Sequence, residues 1–327
     1  MGGIMNISIE RSSLMSTREV PTLSLRDYTD GDQNEQSRFV NQLFLGLKEY
    51  GFIILKDHGL DPALLDQAYQ SAAHFFAQLE DLKLKYYIEG LGGQRGYTPF
   101  GKEHAKDSLL MDLKEFWHVG REVPKGHRYY SQYPANVWPA ETPEFRPIFQ
   151  QIYETLDQAG RILLQALTFP LDVPWHYFDD MVEDGQSILR VLHYPPIPKG
   201  VDPGCLRSAP HEDINLITIL PAATQAGLQL KDRDGTWLDV NAAPGTLIVD
   251  AGDMLSRITN EVIPSTTHQV VNPAGANVSR FSMPFFMHPK PDALLSCIPS
   301  SKGKKALYED ITAQEFLTER LRAIGLV

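Results

Sequence analysis

Residues 207–220 read RSAPHEDINLITIL, and residues 265–282 read STTHQVVNPAGANVSRFS. The first segment contains His211 and Asp213 two residues apart, and the second contains His268. Alternate side chains of a β-strand point to the same face, so His211 and Asp213 can face one ion if this segment is a strand. A third ligand from another strand would complete the site. The two segments therefore predict a metal site in a β-sheet protein.

The predicted ligands are two histidines and one carboxylate. This is the ligand set of non-haem iron(II) sites, which leave positions open for substrate and dioxygen. The alternative is that His211 lies in a surface turn and His268 is an ordinary strand residue, because a His-x-Asp triplet occurs often by chance. A second motif, which follows His268 in the sequence, favours the metal interpretation.

That motif is the pair Arg280 and Ser282, which are again two residues apart. An arginine gives two parallel donors to a carboxylate, and a neighbouring hydroxyl can give a third. A buried arginine without a partner would cost several kcal/mol. We therefore predict that the pair binds a carboxylate. The alternative is an ion pair between Arg280 and one of the protein's own acids.

The residues around these motifs indicate a β-rich core. Short β-rich segments are separated by Pro, Gly, Asn and Asp, without intervening helices, which is typical of an antiparallel sandwich or barrel. The predicted strands are 187–194, 213–220, 227–231, 236–240, 246–250, 267–271 and 279–286. The fold class that we predict is mixed α/β, with a jelly-roll core, a helical and mixed N-terminal layer and a C-terminal helix.

Helical spacing of apolar residues marks the rest of the chain. The predicted helices are 35–50, 62–85, 143–167 and 311–326, and two further strands are 22–25 and 52–55. Gly51 occupies a helix C′ position, and Thr142 and Thr312 are the predicted entry residues of the last two helices. Residues 86–140 show little periodicity, and irregular segments of this length usually lie over a site.

Composition excludes several classes of partner. The 327 residues carry a net charge of −11 with a pI of about 5.4, which argues against nucleic acid or an anionic membrane as the main partner. The two cysteines, Cys205 and Cys297, form no disulfide framework. The first residues do not read as a signal peptide, and no apolar run approaches the roughly 18 residues of a membrane span. We expect a cytoplasmic protein that acts on a small molecule.

Motifs along most of the chain resemble the isopenicillin-N-synthase-like family of iron(II)/2-oxoglutarate-dependent dioxygenases. They are Tyr50-Gly51-Phe52, Asp57-His58-Gly59-Leu60, Gly96-Tyr97, Asp112-x-Lys114-Glu115, Asn136-x-Trp138-Pro139, Arg207-x-Ala209-x-His211-x-Asp213, Gly252-Asp253, Ser265-Thr266-x-His268 and Arg280-x-Ser282. Both their order and their spacing fit the family.

The resemblance implies a double-stranded β-helix core in which His211, Asp213 and His268 hold Fe(II). It implies that 2-oxoglutarate chelates the iron, with its distal carboxylate on Arg280 and Ser282 and with Tyr194 helping to hold it. The implied reaction uses O₂ to oxidise an unactivated C–H bond by hydroxylation, desaturation or ring closure, and releases succinate and CO₂. We expect ascorbate to stimulate such an enzyme.

Candidate substrate residues follow from the same resemblance. Arg190 and His193 lie on the predicted strand that leads to Tyr194, which resembles the strand that lines the family's substrate pocket. Tyr97 and Phe286 are expected to cover the site. The alternatives are a structural ion pair for Arg190 and packing at the barrel mouth for the aromatic residues.

On this basis the chain divides into five regions. They are a disordered lead-in (1–18), an N-terminal dioxygenase-type region (19–140), a connecting helix region (141–185), the Fe(II)/2-oxoglutarate dioxygenase core (186–290) and a C-terminal helical tail (291–327).

Two alternative functions remain open from the sequence. Some relatives use no 2-oxoglutarate and hold the substrate's own carboxylate with the Arg-x-Ser pair. A barrel that only binds or senses a ligand is the second alternative, although the three intact predicted ligands favour an enzyme. The sequence also departs from the family pattern: Asp250 stands where many members have asparagine, and Gln269 stands where an arginine often follows the ligand histidine.

Overall fold

The computed structural model describes residues 18–104, 110–298 and 305–323. The helices are α1 (Arg26–Thr29), α2 (Gln33–Tyr50), α3 (Pro62–Phe76), α4 (Glu80–Lys83, followed by a 3₁₀ turn at Leu84–Tyr86), α5 (Phe145–Thr168), α6 (Asp179–Val182), α7 (Asp253–Ile258) and α8 (Ala313–Ala323). The strands are β1 (Thr22–Ser24), β2 (Phe52–Lys56), β3 (Gly96–Thr98), β4 (Glu115–Gly120), β5 (Ile188–Tyr194), β6 (Ser208–His211), β7 (Ile217–Pro221), β8 (Leu228–Lys231), β9 (Trp237–Asp239), β10 (Leu247–Ala251), β11 (His268–Val270), β12 (Arg280–Ser282), β13 (Phe285–Met287), β14 (Leu294–Leu295) and β15 (Ile311–Thr312).

Two sheets form the core. The large sheet has nine strands in the order β1-β2-β10-β7-β13-β5-β4-β3, with β12 also paired to β5. The small sheet has four antiparallel strands in the order β6-β11-β8-β9. An apolar cluster contains residues from both sheets, among them Leu192 and Leu220 from the large sheet and Leu230 and Val270 from the small one. The predicted mixed α/β fold with a jelly-roll core is confirmed.

The large sheet separates the helical core from the barrel interior. On β10, Leu247 and Val249 belong to the cluster that packs with the helices, whereas Ile248 belongs to the cluster shared by the two sheets. Alternation along the strand places Asp250 on the same side as Ile248. The same alternation turns one face of each central strand toward the interior, and this places polar side chains next to the small sheet.

The predicted helix 35–50 and the strand after it are confirmed as α2 and β2. Asp32 and Glu35 form a capping box at the start of α2, and Gly51 ends it with a φ of 70°. A Cβ at Gly51 would lie 2.2 Å from Thr266 Oγ1, so this turn also needs glycine for a close approach. The approach brings the end of α2 against the segment that leads into β11.

Two details of the predicted helices are wrong. The helix predicted for 62–85 ends at Phe76 and is followed by the separate short α4. Thr142 does not cap α5: its hydroxyl is buried without a partner, and its carbonyl accepts from Phe145 in a turn before the helix. By contrast, Thr312 and Glu315 form reciprocal hydrogen bonds at the start of α8, as a helix entry at Thr312 requires.

The segment 86–140 is less irregular than its sequence indicates. It contains β3 and β4, and β4 pairs with β3 on one side and with β5 on the other. All six residues of β4 are buried, so no alternation of polar and apolar residues marks the strand in the sequence. Through these strands and through β1 and β2, the N-terminal region extends the large sheet instead of forming a separate layer.

Parts of the prediction lie outside the described residues. These are residues 1–17 of the expected lead-in and 324–326 of the last predicted helix. Arg18, where the description begins, forms ion pairs with Asp232 and Asp234. Within the described ranges, none of the helices has the length and apolar character that crossing a bilayer requires.

Candidate metal centre

The three predicted ligands meet at the edge of the small sheet. His211 ends β6 and His268 begins β11, and the two residues lie directly opposite each other in the antiparallel pair. Asp213 corrects one expectation, because it lies in the segment between β6 and β7 and not on a strand. One ligand atom from each of the three residues lies within 4.8 Å of the others. Nε2 of each histidine is 3.8 Å from Asp213 Oδ1.

Hydrogen bonds fix the tautomers of both histidines. Nδ1 of His211 is 2.8 Å from the carbonyl oxygen of Ala209, and Nδ1 of His268 is 3.1 Å from that of Thr266. A carbonyl oxygen only accepts, so each Nδ1 carries a proton, and in the neutral imidazole each Nε2 then presents a lone pair. The Thr218 hydroxyl donates to Asp213 Oδ2 and leaves Oδ1 directed at the two imidazoles. Three unprotonated donor atoms thus converge, as a divalent metal ion requires.

Electrostatics favour the neutral form of His211. Burial and, after it, the neighbouring His268 lower the pKa of His211 to about 4, although the charge of Asp213 acts in the opposite direction. A neutral imidazole is the form that binds a metal. Asp250 faces the same interior, and burial together with the charge of Asp213 holds its pKa well above the ordinary value. Asp250 Oδ1 is buried and has no hydrogen-bond partner in the described ranges.

Arg280 lies beside the three ligands on β12 and is 2% exposed. Its Nε donates to the carbonyl oxygen of Gln225 at 3.0 Å, and its buried Nη1 has no hydrogen-bond partner among the described residues. Tyr194 is directly opposite on β5, with its ring 5.0 Å from the guanidinium carbon. No carboxylate of the described residues forms an ion pair with Arg280, so the internal ion pair considered from the sequence is not observed there.

These groups share one small cavity, which we call the inner pocket. Its volume is about 60 Å³, and its walls contain the three predicted ligands together with Arg280, Ser282 and Tyr194. Apolar side chains complete the walls, and they are Leu192, Leu220, Leu228 and Val270. The arrangement can hold a metal ion next to a small molecule whose carboxylate reaches Arg280.

A larger cavity of about 460 Å³, which we call the outer cavity, is lined by two of the predicted ligands, His211 and Asp213. Arg190 and Phe286 line both spaces. Helix α8 contributes Leu317 and Arg320 to the wall of the outer cavity. A small molecule in the outer cavity would therefore lie next to a metal ion held by the predicted ligands.

Arg190 is held by several partners. Its Nη1 is 3.0 Å from Glu103 Oε1, and its Nε donates to His118 Nε2 at 2.6 Å. Its guanidinium also lies over the rings of Phe116 and Phe286. His118 accepts from Arg190 as a neutral imidazole, because burial and the Arg190 charge hold its pKa well below the ordinary value.

The structure places the other two candidate substrate residues elsewhere. The Tyr97 hydroxyl donates to Glu115, and its side chain is fully buried. His193 Nδ1 donates to Glu115 Oε1 at 2.7 Å, and its ring stacks on Phe281. Lys83 completes this group with an ion pair to the same carboxylate. Neither Tyr97 nor His193 lines the inner pocket or the outer cavity.

Lys114 is a site residue that we did not single out from the sequence. It is buried, lines both spaces, and forms ion pairs with Asp112 at 2.8 Å and Glu103 at 2.9 Å. Burial alone would raise the pKa of Glu103, but Arg190 and Lys114 hold it well below the ordinary value. Asp112 also accepts from the backbone N–H of Ala209, which joins this group to β6. The only signal in the sequence was the polar run Asp112-x-Lys114-Glu115.

Comparisons with known proteins give a consistent result. A family model for the N-terminal region of a non-haem dioxygenase in morphine synthesis matches residues 20–141, and the model of the 2OG-Fe(II) oxygenase superfamily matches residues 185–289. A crystal structure of a 2OG-Fe(II) oxygenase family protein from Caulobacter crescentus is 42% identical, with a TM-score of 0.84 over 95% of this chain and 100% of that chain.

Two fungal relatives resemble the chain over almost its whole length. A full-length Neurospora crassa protein, crystallised in complex with alpha-KG and thymine, is 28% identical, with a TM-score of 0.82 over 93% of this chain and 96% of that one. The 2-oxoglutarate-Fe(II) type oxidoreductase hxnY of Emericella nidulans is 29% identical over 314 residues, which are 93% of this chain and 89% of the relative.

Proposed function

The chain belongs to the 2OG-Fe(II) oxygenase superfamily, and we propose that His211, Asp213 and His268 are its iron ligands. Arg280 and Ser282, assisted by Tyr194, bind the distal carboxylate of 2-oxoglutarate. The protein is an iron(II)- and 2-oxoglutarate-dependent dioxygenase. The observation that carries the assignment of residues is the convergence of three unprotonated donor atoms beside a buried guanidinium nitrogen that has no partner.

The residues of the inner pocket position the reactants. Iron(II), with 2-oxoglutarate and O₂, supplies an oxidant that attacks unactivated C–H bonds and leaves succinate and CO₂. The carbonyl oxygens of Ala209 and Thr266 keep both imidazoles in the tautomer that presents Nε2. Arg280 gives two donors in a fixed plane, which orients a dicarboxylate along the pocket. The apolar walls exclude water and strengthen these electrostatic contacts.

We propose that the oxidised substrate is a small molecule bound in the outer cavity, in contact with Arg190 and Phe286. Its oxidation is a hydroxylation, a desaturation or a ring closure. Tyr97 and His193 form hydrogen bonds with Glu115 and do not touch the substrate. The outer cavity supports the proposal because it has the size of a small-molecule site and is lined by His211 and Asp213.

Within the superfamily, we propose that the chain is of the isopenicillin-N-synthase-like type. The motifs at both ends of the chain support this placement, including Asp57-His58-Gly59 and Arg280-x-Ser282. We also propose that the protein acts in the cytoplasm, without a nucleic acid or membrane partner. The net charge of −11 supports the absence of an anionic polymer as partner.

The test is formation of succinate from labelled 2-oxoglutarate in air, with Fe(II) and ascorbate present. The substrate panel contains small carboxylic acids, their amides, and thymine because the Neurospora crassa relative was crystallised with it. We expect one panel compound to raise succinate formation at least tenfold above the His211→Ala variant. His176→Ala, which changes an exposed histidine paired with Asp180, serves as the matched control and should behave as the wild type. Equal succinate formation by wild type and His211→Ala for every compound would contradict the proposal.

A further inference from the structure

Most charged side chains around the outer cavity are already paired. Lys114 pairs with Asp112 and Glu103, and Glu103 also pairs with Arg190. At the opposite wall Arg320 pairs with Asp253 at 3.1 Å. Within these groups the positive and negative charges are equal in number. They therefore leave no unpaired cation for a substrate, and Arg190, a candidate substrate residue from the sequence, is among the paired residues.

Arg95 is the exception in the wall of the outer cavity. It is 4% exposed, and no carboxylate of the described ranges lies within ion-pair distance of it. Its Nε donates to the carbonyl oxygen of Pro134 at 3.1 Å and its Nη1 to that of Gln94 at 2.7 Å. Both partners are neutral. Burial lowers the pKa of Arg95 to about 10, which still leaves the guanidinium charged at neutral pH.

The backbone provides a specific position for this guanidinium. A Cβ at Gly120, the last residue of β4, would lie 2.0 Å from Arg95 Cζ and 2.1 Å from its Nη2. Glycine at this position therefore gives the guanidinium room next to the strand. Since β4 pairs with β5, which carries Arg190, the wall that holds Arg95 is part of the large sheet.

The other carboxylates of the described residues do not form an ion pair with Arg95. The charge of Glu122 raises the pKa of Arg95, but Glu122 pairs with Arg146 instead. Glu212 also lines the outer cavity, but it is exposed and accepts a hydrogen bond from Thr267. With iron and 2-oxoglutarate bound, the two charges of the metal and that of Arg280 offset Asp213 and the two carboxylates of the cosubstrate. A buried charge without a partner lowers the stability of a protein. A fold that nevertheless makes room for the guanidinium of Arg95 indicates that an anion binds there.

Two neutral polar atoms in the same wall also lack partners. Gln186 Nε2 and His288 Nδ1 are buried in residues that line the outer cavity, and neither has a hydrogen bond within the part of the chain that the structure describes. An amide N–H donates to an oxygen, so Gln186 suits a substrate with acceptor groups. These atoms indicate a polar substrate, and Arg95 indicates that the substrate carries a negative charge.

We propose that the oxidised substrate is a small carboxylic acid whose carboxylate pairs with Arg95. This inference rests on the proposed function and narrows its substrate class. It gives the protein two separate carboxylate sites, because Arg280 lines only the inner pocket and Arg95 lines only the outer cavity. The first holds the cosubstrate and the second selects the substrate.

The test uses the full chain loaded with Mn(II) and saturating 2-oxoglutarate, so that Arg280 is occupied. Calorimetric titrations with benzoate and with benzamide compare a carboxylate with a neutral amide of nearly the same shape. We expect benzoate to bind the wild type about tenfold or more tightly than benzamide, because charge-assisted hydrogen bonds are the stronger kind. Arg95→Met should remove the preference, and Arg95→Lys should keep part of it.

Arg38→Met, which changes an exposed arginine of α2, is the matched control and should keep the full preference. Equal affinity for the two probes in the wild type, or no saturable benzoate binding, would overturn the proposal without use of any variant. A preference retained in Arg95→Met would also overturn it. If Mn(II) and 2-oxoglutarate themselves fail to bind, the proposed function fails. If they bind and the preference is absent, only the present inference fails.

Discussion

At the scale of single residues, the inner pocket contains buried polar groups that lower the stability of the protein when no ligand is bound. Arg280 is buried with Nη1 unpartnered, and burial lowers its pKa. Asp250 is buried with Oδ1 unpartnered. Such groups reduce the stability of the empty protein and become useful only when a ligand supplies the missing partner. They therefore allow ligand binding and stability to be tested separately.

Replacement of Arg280 by methionine should separate the two effects. We expect the affinity for 2-oxoglutarate to fall about 100-fold or more, because the carboxylate loses a charged bidentate partner. The metal-free variant should unfold at the same temperature as the wild type or higher, since an uncompensated buried charge has been removed. Calorimetric titration of the Mn(II)-loaded protein measures the first quantity and thermal denaturation the second. Unchanged 2-oxoglutarate affinity would show that Arg280 is not the cosubstrate's partner.

Asp250 predicts a dependence of stability on pH. Its pKa is raised in the folded protein by burial and by Asp213, so the folded state holds the proton more tightly than the unfolded state does. The stability that this proton provides is complete below the ordinary pKa of 3.8 and is lost as the pH rises toward the folded value. Asp250→Asn keeps the shape without the charge.

We therefore expect metal-free Asp250→Asn to have a higher Tm than the wild type at pH 7, and the difference to shrink as the pH is lowered toward 4. Thermal scans at several pH values measure this. Asp66→Asn, which changes an exposed residue of α3, is the control and should show no such trend. A lower Tm for Asp250→Asn at pH 7 would mean that the carboxylate is ionised and stabilising.

At the scale of elements, the position of Asp213 depends on the start of α7. The first amides of this helix donate to the loop that carries the ligand: Asp253 N–H to the carbonyl of Asp213 at 2.7 Å, and Met254 N–H to that of Ile214 at 3.2 Å. Gly252 precedes them and lies close to the same loop. A Cβ at Gly252 would lie 2.3 Å from the carbonyl oxygen of Asn215 and 3.0 Å from that of Asp213.

Gly252→Ala should therefore displace the Asp213 loop. We expect at least a tenfold weaker affinity for Mn(II) and a loss of about 1–3 kcal/mol in the free energy of unfolding, as for other overpacked sites. Metal titration and urea denaturation measure the two effects. Gly275→Ala is the matched control, because a Cβ there meets no atom within 4 Å. Wild-type metal affinity in Gly252→Ala would show that the loop does not depend on this contact.

The sequence predicted local patterns better than contacts between distant elements. The three predicted ligands were identified because His211 and Asp213 are close in the chain and His268 lies in a clear β-rich segment. Asp213 was nevertheless expected on a strand, since a spacing of two residues does not show where a strand ends. Strand β4 was missed because all its residues are buried, and burial on both faces removes the alternation that marks a strand.

Arg95 and Lys114 could not have been assigned from the sequence. The role of Lys114 depends on its ion pairs with Glu103 and Asp112, and that of Arg95 on the absence of an ion pair with any carboxylate of the described residues. Charge balance around a cavity is a property of the folded chain, because it depends on which residues the strands and loops bring together. Motifs identified the reaction class, and only the structure shows that Arg190 and Lys114 are paired while Arg95 has no ion pair among the described residues.

At the scale of the whole molecule, bound metal and 2-oxoglutarate should stabilise the folded protein. The inner pocket, which we propose holds iron and 2-oxoglutarate, lies between the two sheets and is lined by residues of β5, β6, β11 and β12. A ligand that binds only the folded state stabilises it by about 2.7 kcal/mol when present at 100 times its Kd. We expect Mn(II) to raise Tm, 2-oxoglutarate to raise it further only when metal is present, and EDTA to reverse both effects. An equal rise with 2-oxoglutarate alone would place its site away from the metal.

The most direct test of the account is an anaerobic titration of the metal-free protein with Fe(II) and 2-oxoglutarate, followed by visible absorption. Chelation of iron by the 2-oxo acid gives a metal-to-ligand charge-transfer band. We predict a band that saturates at one Fe(II) and one 2-oxoglutarate per chain, is lost in His268→Ala, and needs much more 2-oxoglutarate in Arg280→Met. Tight binding of Fe(II) with no band at saturating 2-oxoglutarate would contradict the claim that these residues bring metal and cosubstrate together.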